Sequence, residues 1–290
     1  NTGIIIFKLW ILKIFVFFYF LVNRGVSCTN GQGIRFGQGT ALNDASLAAN
    51  KTIFIGADGF SAGNLEIQNF LQSSQQPLAI SLSGTAYLYL ENGTVFNGRL
   101  NLEAPQIFCS GVQFNAPVSL NKTGAGNNYS SGNNTFNDTT ELINSGTGLF
   151  AFGNVNADIF NAPLTLINQG NNHLFLAYNS LGNQINDKLT IINQANSTNN
   201  NIYLAYGSNS QLNIVGKTTV INQGNAANNS LYLGLFGSIV FNDDLSLDNS
   251  GTGNNSAIYL NDRTNSINNY FQRNEKRNNY MQIFKLQKRY

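Results

Sequence analysis

Short runs of alternating apolar and polar residues recur through the second half of the chain. Leu164-Thr165-Leu166 and Leu189-Thr190-Ile191 are two of them. Alternation with a period of two is typical of β-strands that bury one face, and no sustained apolar stripe at helical spacing follows residue 28. The pattern predicts buried side chains at Leu164, Leu166, Leu189, Ile191, Val220, Leu245 and Leu247, and exposed ones at Thr165, Thr190, Thr219 and Ser246.

Each run ends in an Asn residue, and a Gly usually stands two residues later. The recurring residues Asn144, Asn168, Asn193, Asn222 and Asn249 are 24, 25, 29 and 27 residues apart. A period in the mid-twenties is the signature of a solenoid. The repeat predicts an all-β parallel β-helix (β-solenoid) with coils of about 24–29 residues, in which inward Asn side chains bond from coil to coil. The residues predicted to supply positive φ at this corner are Gly146, Gly170, Gly224 and Gly251.

A second corner recurs as an aromatic residue followed by Asn. It is clearest at Phe114-Asn115, Phe136-Asn137, Phe160-Asn161 and Phe241-Asn242, with weaker copies at Ile185-Asn186 and Leu212-Asn213. These pairs predict another stacked turn in each coil.

The chain divides into four predicted segments. Residues 1–28 are an apolar helix that serves as a secretory signal peptide or, alternatively, as a membrane anchor retained over residues 4–22; lipid attachment at Cys28 is a third, weaker reading. Residues 29–95 are an N-terminal cap and first coils, and residues 96–268 are the solenoid repeats. Residues 269–290 are a basic tail, predicted to be disordered, with a short capping helix as the alternative.

Charge is sparse and unevenly placed. Charged residues make up 10% of the chain, and residues 29–260 hold six Lys/Arg against twelve Asp/Glu. A body without a basic, aromatic-rich face argues against nucleic acid as the main partner.

Few residues suggest a reaction. Cys28 and Cys109 are the only cysteines, so the choice is between one disulfide and an unpaired Cys109 in the core. His173, the only histidine, lies in an Asn-rich corner and is predicted to be an exposed turn residue. No metal-binding motif and no cofactor are predicted.

One set of aromatic residues predicts a binding surface. If Leu174 and Leu176 point inward, Phe175 points outward, and the same parity predicts an outward column of Phe150, Phe175, Tyr203, Tyr232 and Tyr259. Such a column can stack on sugar rings or pack against another chain. The alternative is a ladder that stacks only on itself and stabilises the solenoid.

Two other functions have candidate residues in the sequence. A polysaccharide lyase or hydrolase on a β-helix needs converging carboxylates, and the candidates are Asp243, Asp244 and Asp248 with Lys217 one coil earlier. Because Asp243-Asp244 directly follows a corner, a solvated turn is the preferred interpretation. Ice or crystal-surface binding would use the column of Thr165, Thr190, Thr219 and Ser246, but that column is single and continues into Glu141.

A family resemblance covers roughly residues 30–268. The block Gly59 to Leu65, then Gln68-Asn69-Phe70, Leu82 to Thr85 and Thr94 to Gly98, together with Asn134 to Asn137 and the Asn-x-Gly corners, resembles the large repetitive surface proteins of Bacteroidetes-type bacteria. The resemblance implies a secreted or cell-surface, adhesin-like β-solenoid and no catalytic residues. We therefore expect a non-catalytic structural or adhesive repeat protein whose partner is a polysaccharide or another surface protein.

Overall fold

The computed structural model describes residues 61–72, 75–195 and 197–260 with their side chains. It also describes strands at 34–36, 45–47, 54–55, 266–267, 271–275 and 280–283 by their backbone pairing. These residues form 31 β-strands, and no helix occurs among them. Strand pairing is parallel throughout this part of the chain, and each strand pairs with the third strand before or after it, which generates a solenoid-like stack with three strands in each coil.

The strands fall on three faces. Face A contains β1 (Ile34–Phe36), β4 (Asn64–Ile67), β7 (Tyr87–Leu90), β10 (Gln106–Cys109), β13 (Asn128–Tyr129), β16 (Phe150–Ala151), β19 (Leu174–Leu176), β22 (Ile202–Leu204), β25 (Leu231–Leu233), β28 (Ala257–Leu260) and β31 (Tyr280–Ile283). Face B contains β2 (Ala45–Leu47), β5 (Phe70–Gln72), β8 (Val95–Phe96), β11 (Gln113–Phe114), β14 (Thr135–Phe136), β17 (Ile159–Phe160), β20 (Asn183–Ile185), β23 (Gln211–Ile214), β26 (Ser238–Phe241) and β29 (Ser266–Ile267). Face C contains β3 (Phe54–Ile55), β6 (Leu78–Ser81), β9 (Leu100–Ala104), β12 (Val118–Lys122), β15 (Thr140–Asn144), β18 (Leu164–Asn168), β21 (Leu189–Asn193), β24 (Thr218–Asn222), β27 (Leu245–Asn249) and β30 (Phe271–Glu275).

Faces B and C are continuous ten-stranded sheets, whereas face A is interrupted once. Its strands form a four-stranded sheet from β1 to β10 and a seven-stranded sheet from β13 to β31. A parallel bridge between Ser110 and Gly132 links the coils at this break.

The predicted parity of the face C strands is confirmed. Leu164, Leu166, Leu189 and Ile191 are buried, and so are Val220, Leu245 and Leu247. Thr165, Thr190, Thr219 and Ser246 point outward, but each is half-buried rather than fully exposed because its neighbours in the adjacent coils cover it.

The core behind face B is a stack of aromatic rings. Phe96, Phe114, Phe136 and Phe160 follow one another with centroid distances of 5.7, 4.7 and 4.5 Å. The later coils place Ile185, Ile214 and Phe241 at the same register. The second corner is therefore real, and Ile185 is its copy after Phe160. In the following coil the corner is Ile214-Val215. The predicted copy at Leu212 is wrong, because Leu212 pairs with Asn183, two residues before the corner.

The inward Asn column lies in one register, as predicted, from Asn144 through Asn168, Asn193 and Asn222 to Asn249. Its hydrogen bonding differs from a ladder. Asn193 and Asn222 donate to backbone carbonyls of their own coils, those of Asn200 (3.0 Å) and Asn229 (2.8 Å). Among the described members, the hydrogen bond that joins Asn side chains of two coils runs from Asn222 to Asn249 (2.9 Å). These side chains mainly close the corner of their own coil.

A true amide ladder runs instead along the outside of the second corner. Asn115, Asn137, Asn161 and Asn186 each donate from Nδ2 to the Oδ1 of the Asn in the preceding coil, starting at Asn97, over distances of 2.7–2.8 Å. Val215 follows Ile214 at the next corner and ends the ladder.

The corner glycines have a different role from the predicted one. None of the four predicted glycines, Gly146, Gly170, Gly224 and Gly251, adopts a left-handed φ angle. A Cβ at Gly146, Gly170 or Gly251 would lie 2.1–2.4 Å from a backbone carbonyl oxygen of the preceding coil. Glycine is needed there because the backbones of successive coils approach closely.

Lys122 replaces Asn in the coil before Asn144 and is fully buried. Its Nζ donates to the backbone carbonyls of Gly124 and Gly148. Burial lowers the pKa of this amine to about 8. In other coils, backbone carbonyls accept hydrogen bonds from the Asn side chain at this position.

Several predictions fall partly or wholly outside the described residues. The N-terminal apolar helix, the signal peptide or anchor over residues 1–28 and the pairing of Cys28 lie outside them. Cys109 is buried in the core. Strands β30 and β31 lie within residues 269–290 and continue the pairing of faces C and A. In the part of the chain that the structure describes, no helix is long and apolar enough to cross a membrane.

Candidate binding surface: an aromatic strip on face A

Four aromatic side chains form a column on the outside of face A. Phe175, Tyr203, Tyr232 and Tyr259 occupy one register position in successive coils. Their rings stack with centroid distances of 4.7, 4.8 and 4.7 Å and interplanar angles of 10–13°. Because each ring covers the faces of its neighbours, the tyrosines of the column present ring edges to the solvent. Phe175 is buried, with 5% of its surface exposed, because Tyr178 and Tyr206 pack against it.

Phe150, which the sequence parity assigns to this column, lies in the core. It pairs with Leu174 and is fully buried, so Ala151 occupies the column position before Phe175. The physical reason is its distance from the corner: Phe150 stands six residues after Asn144, as Leu174 stands six residues after Asn168. Tyr129 precedes Ala151 in the column, and the small alanine leaves the ring column interrupted for one coil.

A second aromatic row lies beside the column. Tyr178 and Tyr206 are parallel to each other with centroids 5.4 Å apart. Tyr206 stands at 82° to Phe175 and at 79° to Tyr203. Since Phe175 and Tyr203 cover each other's facing sides, Tyr206 contacts their edges. The sequence signal for this row is the repeated Leu-Ala-Tyr at 176–178 and 204–206.

The backbone holds the second row in place. Ala177 and Ala205 have φ angles of 53° and 49° and are fully buried. Gly153 and Gly234 have φ angles of 67° and 78° at the same corner in the coils before and after. Left-handed φ is strained for alanine, and here it turns the chain at the end of β19 and β22, directly before Tyr178 and Tyr206.

Further apolar side chains extend this corner. The described residues include five exposed large apolar side chains: Tyr129, Val155, Leu181, Val215 and Phe236. All except Val215 lie on face A or in the segments that join it to face B. Phe236 contacts Tyr206 edge to face, with centroids 5.6 Å apart, and Tyr129 contacts Tyr178 at 5.4 Å. We call the column, the second row, Tyr129 and Phe236 the aromatic strip.

A polar row runs along the other side of the column. Side chains of His173, Asn201 and Ser230 each accept a hydrogen bond from a backbone N–H of the next coil, over 3.1, 2.8 and 3.2 Å. Asn201 also donates to the Tyr203 hydroxyl at 2.9 Å, and Ser230 bonds to Tyr232. These contacts orient the tyrosine hydroxyls toward the polar row.

His173 differs from the exposed turn residue that the sequence predicts. Its ring is packed edge-on against Phe175 and Tyr203, with centroids 5.9 and 5.3 Å away, and burial lowers its pKa. Because Nδ1 accepts the Asn201 N–H, the neutral ring carries its proton on Nε2. No sequence pattern predicts this arrangement, because it depends on the packing of two coils.

The strip is uncharged. Residues 171–182, 199–210 and 225–237, which form it across three coils, contain no Asp, Glu, Lys or Arg. Burial raises the pKa of Tyr203, and it raises the pKa of Tyr232 to about 12, so these two tyrosines stay protonated hydrogen-bond donors at neutral pH.

The carboxylates considered for catalysis lie elsewhere. Asp243 and Asp244 are at the corner between β26 and β27, where the Asp244 carbonyl accepts the Thr218 N–H. Asp248 lies outward on face C, in register with Ile221, and Lys217 stands directly before β24. No group of three or more His, Cys, Asp or Glu residues that could hold a metal ion occurs among the described residues.

The Thr column of face C is in register from Glu141 through Thr165, Thr190 and Thr219 to Ser246. Beside it runs an outward row of Ile143, Ile167, Ile192 and Ile221, which Asp248 ends. Face C therefore presents three uncharged Thr/Ile coils between two acidic ends.

Comparison with known proteins gives no relative. No family model, curated protein or solved structure matches this chain.

Proposed function

We propose that this chain is a non-catalytic structural and adhesive repeat protein that acts outside the cell or at its surface, with the aromatic strip as its contact surface. The observation that supports the proposal best is the continuity of the strip: its rings keep one register over four coils at 4.7–4.8 Å intervals. A row that repeats with the coil suits a partner that is itself extended.

The composition of the strip favours contact over chemistry. Exposed apolar and aromatic groups clustered on one face mark interaction sites, and tyrosines combine a large apolar area with a hydroxyl that bonds polar partners. The ionisable groups of the strip are tyrosines; Tyr129 and Tyr178 share a hydrogen bond, but the strip contains no carboxylate or histidine that could act with them as a base.

A polysaccharide lyase or hydrolase is the alternative function. It would rely on Asp243, Asp244, Asp248 and Lys217, but Asp248 lies on the outside of a strand, four residues beyond the corner that holds Asp244. These residues lie on the corner and strands of face C, whereas the aromatic rings lie on face A. A substrate stacked on the rings would therefore not reach them.

An extracellular or cell-surface location, reached by a signal peptide or with residues 4–22 as an anchor, is part of the proposal. It rests on the apolar N-terminal sequence and on the resemblance to repetitive surface proteins. The expected partners are a polysaccharide or another surface protein, and nucleic acid is disfavoured by the acidic, sparsely charged body.

The test combines adhesion with turnover. Beads carrying the full chain are exposed to surfaces coated with polysaccharide or with protein, and soluble products are measured at the same time. We expect adhesion without product release, and weaker adhesion for the Tyr203→Ala, Tyr232→Ala double variant. Product release that Asp243→Asn or Asp244→Asn abolishes would establish the enzyme instead.

A further inference from the structure

We infer that the ligand of the aromatic strip is an uncharged polysaccharide with flat, equatorially substituted sugar rings, laid along the solenoid axis. The inference rests on the proposed function and names the chemistry of its partner. Tyr178 and Tyr206 provide the stacking surfaces, and the polar row with its tyrosine hydroxyls provides the hydrogen bonds.

The two rows offer different surfaces. The column rings are closed by their neighbours at 4.7–4.8 Å, with nearly parallel planes. Tyr206 instead lies nearly perpendicular to both Phe175 and Tyr203 and contacts their edges. It is parallel to Tyr178, but their centroids are 5.4 Å apart, a wider spacing than in the column. Both Tyr178 and Tyr206 are partly exposed, so the second row is where a planar apolar ligand face can be covered. Sugars with equatorial hydroxyls expose such a face, made of axial C–H groups.

The hydrogen bonds come from a fixed set of donors. His173 accepts at Nδ1 from the Asn201 backbone, which leaves its Nε2–H as a donor. Tyr203 accepts from Asn201, so its own hydroxyl proton remains for an outside acceptor. Sugar hydroxyl oxygens are acceptors for such donors.

The absence of charged side chains from the strip argues against an acidic or basic polymer as its ligand. The three segments 171–182, 199–210 and 225–237 carry no charged side chain, so the strip offers no partner for a carboxylate, a sulfate or an amine. Binding a charged chain there would remove its charges from water without compensation.

The spacing of the coils determines how many sugar units of a ligand the strip can contact. The coils of the column repeat about every 4.8 Å, and the second row supplies two rings, Tyr178 and Tyr206, with centroids 5.4 Å apart. Both distances are similar to the length of one pyranose unit in an extended chain. Affinity should therefore rise with the number of sugar units until the ligand covers the coils that carry aromatic residues, and then level off.

The test measures binding of the full chain to cello-oligosaccharides and fully N-acetylated chito-oligosaccharides of two to six units by calorimetry, with polygalacturonate as a charged polymer. We expect affinity to increase from the disaccharide to about the tetrasaccharide, and polygalacturonate not to bind. Tyr206→Ala should weaken binding about tenfold or more, because it removes one of the two stacking rings. Tyr206→Leu keeps an apolar cover on Phe175 and should weaken binding as well. Thr190→Ala on face C is the matched control and should bind normally.

Three outcomes would overturn the inference: equal binding of polygalacturonate and the neutral chains, affinity that is independent of chain length, or unchanged affinity in both Tyr206 variants. Thermal unfolding of each variant separates lost binding from lost folding, since Tyr206→Leu and Thr190→Ala are both expected to unfold near the wild-type temperature. A chain that adheres to protein-coated surfaces but binds none of the oligosaccharides would refute the inference and leave the proposed adhesive function standing. A chain that adheres to no surface would refute both.

Discussion

Tyr206 lies across the edge of Phe175, which stands one coil earlier, with ring centroids 5.2 Å apart and planes at 82°. The residue before Tyr206, Ala205, has a φ angle of 49°. The backbone at this corner is thus strained where Tyr206 packs against the ring column. Gly234 occupies the same position one coil later without strain.

This relationship predicts how Ala205 tolerates change. Ala205→Gly relieves a strain of about 1–2 kcal/mol but removes a buried methyl group worth about 0.8 kcal/mol, so stability should change by less than about 1 kcal/mol. Ala205→Val places a β-branched residue at positive φ in a fully buried position and should destabilise by at least about 2 kcal/mol. Chemical denaturation of the two variants checks the order; equal stability would contradict it.

The parity of face C is tested by a charge placed inward or outward. Leu166 is fully buried, and its neighbour Thr165 points outward. Leu166→Asp should cost at least about 3 kcal/mol, because an unpaired charge is buried, and should unfold the adjoining coils. Thr165→Asp is the matched control and should melt near the wild-type temperature. If Thr165→Asp loses more stability than Leu166→Asp, the register is wrong by one residue.

The sequence predicted this register well because a stacked repeat constrains itself. Once Leu164, Leu166 and Asn168 are inward, every equivalent residue in the next coil must follow. Coil length was harder to predict, because insertions between the Asn corner and face A vary. Phe150 was assigned to the aromatic column because of its residue type. Its distance from Asn144, which equals that of Leu174 from Asn168, places it in the core. The contact of His173 with Tyr203 has no period in the sequence and appears only when coils pack. The contact of Tyr178 with Phe175 does recur, as Tyr206 with Tyr203, and the repeated Leu-Ala-Tyr is its sequence signal.

The inward Asn column is predicted to be uneven in its contribution to stability. Both polar atoms of the Asn168 side chain are buried without a hydrogen-bond partner, whereas Asn193 donates to the Asn200 carbonyl at 3.0 Å. Asn168→Leu should therefore be neutral or stabilising, and Asn193→Leu should cost about 1–3 kcal/mol because it orphans a buried carbonyl. Thermal melting of both variants gives the comparison, and a larger loss for Asn168→Leu would contradict it.

Asp158 should make stability depend on pH. Its carboxylate is buried and accepts bonds from the Asn134 backbone and side chain at 3.0 and 2.8 Å, and burial raises its pKa from 3.8 to about 7. The folded protein therefore prefers the protonated form. The stability contributed by this group is fully present below pH 3.8 and is lost as the pH rises through about 7.

Asp158→Asn should remove that loss, since an amide oxygen can accept the same bonds without ionising. We expect the variant to melt several degrees above wild type at pH 8, given about 2–4 °C per kcal/mol for a chain of this size. The difference should shrink toward pH 4. The measurement is the melting temperature of both proteins across this range, and their difference also cancels the opposing effect of His173. A constant difference at every pH would show that Asp158 does not titrate as described.

The central claim is that the aromatic strip is the working surface of this protein, and residue-level footprinting tests it most directly. The full chain is labelled by hydroxyl radicals with and without the insoluble polysaccharide or surface that retains it, and oxidation is measured by mass spectrometry. We predict that binding lowers the labelling of Tyr178, Tyr206 and Phe236 and leaves Ile167 and Ile192 on face C unchanged. Protection confined to face C, or unchanged labelling of the strip in retained protein, would contradict the claim.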